Sequence, residues 1–222
     1  MTHELAVTEI EALTGDVYRL RLDRPEGYRF TPGQATDLAI DRDGMRDETR
    51  PFTFTSRPGD PFLEFTIKSY PAHEGVTALI PTLKPGDCLR IGDPWGAIRD
   101  EGPGVIIAGG AGLTPFIPIL RERRRMGWLT GMTLIEADKT WDALILRDEW
   151  RAMPGLDAVF VLEDEDHEEC ERGRVDRALL ERHGVTPATL VYLCGPPPMM
   201  EAVTGALRSI GVPERQVVQE DL

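Results

Sequence analysis

From residue 4 to residue 69 the chain alternates apolar and polar positions in short runs separated by turn residues, the period of half-buried β-strands. Leu5–Leu13 and Val17–Leu22 alternate on either side of a Gly15-Asp16 turn. Phe30-Thr31-Pro32-Gly33-Gln34 predicts a turn, Ala35–Ile40 a strand and Asp41–Thr49 a polar loop. A strand over Arg50–Ser56 follows, then a turn at Arg57-Pro58-Gly59-Asp60 and a strand over Phe62–Lys68. Glu74–Leu83 reads as a short helix opening near Gly75-Val76-Thr77, and Cys88–Ile91 as the last strand, after the Lys84-Pro85-Gly86-Asp87 turn. Short strands with turn signals and one helix predict a small antiparallel barrel. The pattern changes at Asp100-Glu101-Gly102-Pro103-Gly104. Strands are then expected at Val105–Ala108, Met132–Ala137, Ala158–Leu162, Leu190–Cys194 and Gln216–Val218. Helices are expected between them at Thr114–Met126, Leu146–Ala152, Val175–Arg182 and Met199–Ile210. Strands alternating with helices imply a parallel sheet covered on both faces.

Three stretches carry chemistry. Arg50-Pro51-Phe52-Thr53 puts a guanidinium, an aromatic ring and a hydroxyl into four residues, with Pro51 marking an edge or an interruption in pairing. Arg50 and Phe52 fall on one side of such a strand and Thr53 on the other, while the backbone at Thr53 can still face a ligand. This set suits a flat conjugated ligand bearing a phosphate: the guanidinium forks onto phosphate oxygens and the ring stacks. An ordinary half-buried strand with one solvated arginine is the plainer alternative. Gly109-Gly110-Ala111-Gly112-Leu113-Thr114-Pro115 follows a buried strand and opens a helix, with Thr114 as N-cap and Pro115 at the first helical position. Its glycines admit close backbone approach and the helix start favours a pyrophosphate. The spacing differs from Gly-x-Gly-x-x-Gly. Cys194-Gly195-Pro196-Pro197-Pro198-Met199 ends a later strand in a turn stiffened by proline. Cys194 is either a small buried apolar residue or a compact soft neighbour of a cofactor's reacting carbon, and no His or basic residue beside it activates a thiolate.

Composition narrows the partners. The 222 residues carry a net charge of −13, 41% apolar residues, 22 glycines and 18 prolines. The charge is −6 before Gly102 and −7 after it, so the acidity is spread and no basic stripe offers itself to nucleic acid. No run approaches a membrane span. The N-terminus does not read as a signal peptide. Cys88, Cys170 and Cys194 match no metal or iron–sulfur spacing and form no even disulfide set, which fits a reducing cytoplasm. Arg121, Arg123, Arg124 and Arg125 read as a solvated helix end, and Glu163–Glu169 as a solvated loop.

In this order, Arg50-Pro51-Phe52-Thr53, Gly75-Val76-Thr77, Gly109–Pro115 and Cys194–Met199 resemble the ferredoxin–NADP reductase-like flavoprotein family. The likeness is greatest to flavodoxin and ferredoxin reductases without a fused iron–sulfur domain. It implies a β + α/β fold, with an antiparallel flavin-binding barrel over residues 1–100 and a parallel-sheet pyridine-nucleotide-binding domain over 103–222. By that resemblance Arg50 binds a flavin phosphate, Phe52 flanks the isoalloxazine beside Pro51, and Thr53 bonds the N5 region. Ile67-Lys68 match the next flavin-contacting strand, and Gly75, Val76 and Thr77 a second phosphate-binding turn. Gly109, Gly110, Gly112, Thr114 and Pro115 hold the pyridine nucleotide, and Cys194, Gly195, Pro196 and Met199 lie near the nicotinamide. Phe52 departs from the commoner tyrosine and loses a hydroxyl bond. The implied cofactors are FAD, in preference to FMN, and NADH or NADPH.

The function implied is an NAD(P)H-dependent flavoprotein oxidoreductase passing electrons to a ferredoxin, a flavodoxin or similar protein, or to a small-molecule acceptor. A non-catalytic flavin-bound electron-transfer or regulatory subunit, and a nucleotide-binding module without flavin, are the alternatives. Asp138 and Lys139 should lie at the adenosine ribose and pull in opposite directions on a 2′-phosphate; the lack of an arginine fork there leans to NADH. At the C-terminus Leu222 offers apolar cover but no ring to a flavin, and Glu220 could help with protons. Thr53, Cys194 and Glu220 are therefore the candidate catalytic residues.

Overall fold

The computed structural model describes residues 2–73 and 75–220. Alternation in the first hundred residues produces six antiparallel strands: β1 His3–Ala12, β2 Val17–Asp23, β3 Ala35–Ile40, β4 Arg50–Thr53, β5 Phe62–Lys68 and β6 Cys88–Ile91. They lie in the order β4-β3-β6-β1-β2-β5. A register shift between Val7 and Glu9 lets the long β1 pair with β6 through its first half and β2 through its second. β4 is an end strand, which is where the missing N–H of Pro51 costs nothing. The strand expected to reach Ser56 stops at Thr53. At Phe54 the backbone leaves β3, with a last bond to Gln34 O at 3.0 Å, and bridges Phe65 of β5 instead. That handover nearly closes the barrel around the fully buried Phe54, which stacks on Phe30 with centroids 4.4 Å apart. The core also takes Leu20, Leu22, Leu38, Ile40, Leu63 and Ile67. The expected short helix is one turn, α1 Val76–Leu79, continued by a 3-10 turn over Ile80–Thr82. Glu74 lies outside the described residues.

The second half gives a parallel sheet of β7 Val105–Gly109, β8 Met132–Asp138, β9 Leu156–Leu162, β10 Glu171–Arg172, β11 Val191–Cys194 and β12 Val217–Val218. Its helices are α2 Phe116–Met126, α3 Arg147–Arg151, α4 Arg177–Arg182 and α5 Pro197–Ile210. Strand order is β10-β9-β8-β7-β11-β12. The order reverses between β7 and β11, and in open parallel sheets ligands bind beyond the carboxyl ends of strands at such a reversal. Val105, Ile107, Ile135, Val161, Val191 and Leu193 form one apolar face, packed with Leu179, Leu180, Val203 and Leu207 of α4 and α5. The two-residue β10 has too little alternation to be read from sequence.

Two helix starts differ from expectation. α2 begins at Phe116, after a 3-10 turn over Gly110–Leu113, so Thr114 and Pro115 stand in the turn before it rather than at its N-cap and first position. α5 begins at Pro197, two residues early, with Pro196 at its N-cap. Proline's absent N–H and fixed φ suit a helix's first turn, so the proline run opens this helix instead of delaying it. Residues 1–99 with 114–122 form one compact unit, and residues 100–113 with 123–222 the other. Among the described residues, no helix is long and apolar enough to cross a membrane.

Candidate functional site

In the barrel unit the expected residues gather at the end strand. Thr53, Phe52, Pro51 and Arg50 pair with Ala35, Thr36, Asp37 and Leu38 of β3. Phe52 is half-buried and packs against the barrel core, leaving part of its ring exposed. Arg50 is exposed; its Nη1 donates to Thr49 O at 2.7 Å and its Nη2 stands 3.6 Å from Glu48. Arg50 Nη2 also lies 3.6 Å from where a Cβ on Gly75 would sit. Gly75 has a φ of 111°, a backbone only glycine adopts without strain, and it is the N-cap of α1. The guanidinium and the start of α1, far apart in sequence, therefore converge. Val76 is buried and Thr77 half-buried behind them. Ile67 and Lys68 lie on β5. The Ile67 side chain is in the core, and the Lys68 ammonium is bound to Asp16 at 3.2 Å.

The sequence reading missed Glu64 in the same unit. Its side chain is 2% exposed, yet its carboxylate meets Arg121 at 2.6 Å and Arg21 at 3.1 Å and accepts from Thr55 Oγ1 at 3.1 Å. Arg121 also donates to Thr55 O at 2.9 Å. Arg121 is thus no solvated helix end. Neither is Arg123, which lies in the other unit with 8% of its side chain exposed and is bound to Asp100 at 2.5 Å. Both were misread because apolar periodicity does not register a charge whose partner is distant in sequence.

In the sheet unit, the Gly109–Gly112 turn and the Cys194–Met199 segment meet. A Cβ on Gly112 would lie 2.4 Å from Cys194 O and 2.6 Å from Gly195 N. One on Gly109 would lie 2.4 Å from Met199 Sδ and 3.0 Å from Pro196 Cδ, and one on Gly195 would be 3.3 Å from Gly109 N. Gly109, Gly112 and Gly195 are therefore explained by packing between the ends of β7 and β11. Gly110, with a φ of +52°, is different: the nearest atom to its Cβ position is Asp138 Oδ2, at 3.7 Å. Asp138 Oδ1 accepts the N–H of the exposed Lys139 at 2.8 Å. Cys194 is half-buried. Burial pushes its thiol up to about 11, the charge of Glu220 adds to the rise, and the Gly195 N–H opposes it. A thiol so held stays neutral, and Cys194 and Glu220 are near enough to feel each other. Asp221 and Leu222 lie outside the described residues.

Glu136, two residues before Asp138 on β8, was also missed. Its side chain is fully buried, Oε1 accepts the Ile145 N–H at 2.5 Å, and Oε2 has no partner. Burial pushes its carboxyl well above the usual range; the Asp138 charge adds to this, and the Ile145 N–H and Arg147 oppose it.

Residues 106–205 match the family model of the oxidoreductase NAD-binding domain. The chain is 32% identical to the propane 2-monooxygenase reductase component of Rhodococcus jostii, covering 95% of this chain and 61% of that protein. It is 30% identical to NADH-cytochrome b5 reductase 1 of Aspergillus terreus, covering 92% of this chain and 75% of that one. The structure overlays a ferredoxin NADP+ reductase of Neisseria gonorrhoeae, solved with FAD and NADP, with a TM-score of 0.85 over 97% of this chain and 96% of that one, at 21% identity. That last likeness carries the fold, and the first relative is considerably longer than the matched span. With similarity running through both compact units, the chain belongs to the ferredoxin–NADP reductase-like flavoprotein family.

Proposed function

We propose that this chain is an NAD(P)H-dependent flavoprotein oxidoreductase that passes electrons to a separate redox protein or a small acceptor. Its barrel, residues 1–100, binds FAD, and its parallel-sheet domain, residues 103–222, binds NADH or NADPH. The observation that carries the reading is the convergence of Arg50 and Gly75. A guanidinium beside a positive-φ glycine, on an end strand with a half-exposed aromatic ring two residues on, fits a phosphate joined to a flat ring system. Bound flavin would supply the hydride acceptor and the capacity to release electrons singly.

The chain's own residues bind, orient and control protons. Arg50 takes the flavin phosphate with the N–H groups of Gly75, Val76 and Thr77. Phe52 flanks the ring with Pro51, and Thr53 offers its hydroxyl and backbone. Ile67 and Lys68 contribute main chain. Gly109, Gly112, Gly195, Pro196 and Met199 fix the shape of the nucleotide crevice by packing on one another, while Gly110 lines its approach. Cys194, held neutral, is a compact neighbour for a nicotinamide and not a nucleophile. Glu220, whose charge is felt at Cys194, is the proposed proton exchanger.

The relatives named as a reductase component and as a cytochrome b5 reductase support a protein acceptor. The free thiols of Cys88, Cys170 and Cys194 support a cytoplasmic setting. The test is the absorbance of the purified protein and its anaerobic reaction with NADH and NADPH. Yellow protein bleached by either nucleotide is expected; colourless protein that binds no added FAD would overturn the reading.

A further inference from the structure

The barrel strands that carry the candidate flavin residues have a second face. After β6 the chain passes Gly92, whose N–H donates to Asp37 O at 3.0 Å, and rejoins β3 at its start. There the Trp95 N–H donates to Ala35 O at 2.8 Å and the Ala35 N–H to Trp95 O at 2.7 Å. Ala35 also pairs with Thr53 of β4, so Thr53, Ala35 and Trp95 form one row across the sheet. Residues opposite one another in a sheet share a face. Thr36, Leu38 and Ile40 of β3 are buried on the core side, so Ala35 and Asp37, with Thr53 and Trp95, belong to the other face by alternation. That face is turned away from Arg50 and Phe52. Neighbouring strands lie about 4.8 Å apart, which puts the backbone of Trp95 roughly 10 Å from that of Thr53.

Trp95 is 42% exposed, yet its backbone is held. Two bonds tie it to β3, and Ile98, just beyond it, is buried with its carbonyl against Gly33, where a Cβ would lie 2.4 Å from Ile98 O. A tryptophan carries a large apolar surface, and an exposed ring on a fixed backbone loses little freedom when a partner covers it. The charge around it is negative. Asp37, on the same face of β3, and Asp93, shortly before Trp95 in the chain, are both exposed. Arg90, the cation that β6 sends to this face opposite Ala39, is bound to Glu4 at 3.1 Å. The chain as a whole carries −13.

We propose that this row is the docking surface for the electron acceptor, with Trp95 as its apolar anchor and Asp37 and Asp93 as its acidic rim, and that the acceptor is a one-electron redox protein with a basic face. This rests on the flavoprotein reading above, in which Thr53 meets the N5 region of the flavin. An acceptor seated on Trp95 reaches Thr53 past Ala35, whose side chain is only a methyl. It comes from the side opposite Arg50, so docking and phosphate binding do not compete. The acidic rim and the acidic chain steer a basic partner in and repel an acidic one. Each NAD(P)H gives up two electrons, so two acceptor molecules are reduced by one electron each, with release of NAD(P)+ and one proton.

The probes are ferric cytochrome c, a basic one-electron haem protein, and the same protein with its lysines succinylated. Binding to the whole protein is titrated by calorimetry without nucleotide, and electron transfer is followed by stopped flow. At low salt, native cytochrome c should bind and react about tenfold better than the succinylated form, or more. Asp37→Lys should slow the reaction with native cytochrome c about fivefold, an effect that salt removes. Asp157→Lys, the same change of net charge at an exposed site in the sheet unit, should slow it far less. Trp95→Ala should weaken cytochrome c binding about tenfold, yet leave hexaammineruthenium(III), a small cation with no apolar contact to lose, reduced at the wild-type rate. Trp128→Ala, which removes another exposed ring in the sheet unit, should change neither. Reduction of the flavin by NAD(P)H without acceptor should be the same in all these variants, which shows that they fold. Equal losses in Asp37→Lys and Asp157→Lys, or wild-type cytochrome c binding by Trp95→Ala, overturns the docking surface. Preference for the succinylated form overturns the basic partner. Flavin that neither NADH nor NADPH reduces in the wild type overturns the flavoprotein reading instead.

Discussion

The barrel and the sheet units each hold an enclosed glutamate and at least one glycine in a candidate motif, and they use them in opposite ways. Glu64 of the barrel is surrounded by donors, with Arg121, Arg21 and Thr55 all within 3.1 Å. Glu136 of the sheet has one backbone N–H and, among the described residues, an oxygen without a partner, and burial pushes its carboxyl well above the usual range. Gly75 in the barrel has open space but for a guanidinium; Gly109 and Gly112 in the sheet have sulfur and backbone where a Cβ would go. Burial alone thus fixes neither the charge of a carboxyl nor the reason for a glycine. The neighbours do: Arg121, Arg21 and Thr55 surround Glu64, while Glu136 meets a single loop N–H from Ile145.

The largest effect should come from the paired glutamate. Glu64→Ala leaves Arg121 without its carboxylate in a largely enclosed place and should cost about 3 kcal/mol, the low end for a broken buried pair, because Arg21 keeps some access to water. The shift of the urea midpoint measures it. A loss no greater than that of Arg21→Ala alone would show that Glu64 is not the hub of this network.

Gly112→Ala should come next, at roughly 1–3 kcal/mol, since the new methyl meets the backbone of Cys194 and Gly195, which no rotamer change relieves. Arg50→Ala should leave stability nearly unchanged and weaken flavin binding by roughly 1.5–3 kcal/mol, the worth of a charged hydrogen bond. Flavin retained after dialysis reads it, and wild-type retention would remove Arg50 from the phosphate site. Together these two variants separate a packing glycine from a binding arginine.

Much of this was legible before the fold. The strands Ala35–Ile40, Phe62–Lys68 and Cys88–Ile91 follow from the sequence to the residue, because their large apolar side chains line the barrel core and the turns before them are glycine- or proline-marked. The motif order identified the family. What stayed hidden was the cause behind each motif. Three glycines in Gly109–Gly112 read as room for a ligand, but two of them are room for Cys194–Met199, a segment more than 80 residues away. Glu64 and Glu136 read as ordinary strand residues because their enclosure depends on α2 and on the 139–145 loop, which alternation within one strand cannot report.

Glu136→Gln tests the other half of the comparison through pH. The native carboxyl keeps its proton above the pH at which the unfolded chain, near its ordinary 4.5, releases it. The native state then binds more protons than the unfolded one, so wild-type stability falls as pH rises from the ordinary glutamate range toward the raised native value. Below that range the term vanishes. Gln carries no such proton, so the difference between variant and wild type should be flat in acid and move in the variant's favour with rising pH. Its unpaired amide adds an offset, but one independent of pH. A flat difference throughout would mean that Glu136 is ionised in the native sheet.

The smallest effect sharpens the glycine contrast most directly. Gly205 lies in the same unit as Gly112, inside α5, and nothing stands within 4 Å of its Cβ position. A glycine in a helix interior loses more backbone freedom on folding than alanine does, so Gly205→Ala should stabilise by roughly 0.5–1 kcal/mol. The identical substitution at Gly112 should destabilise. Both variants add one methyl to the same unit, and both restrict the unfolded chain in the same way. Opposite shifts of the urea midpoint can then come only from what the methyl meets in the native state. Should both destabilise, α5 would be strained at Gly205 and the open space there would not explain its glycine. Should both stabilise, the approach of the β7 turn to Cys194 would be loose enough to take a side chain, and the glycines of that turn would return to being room for a ligand.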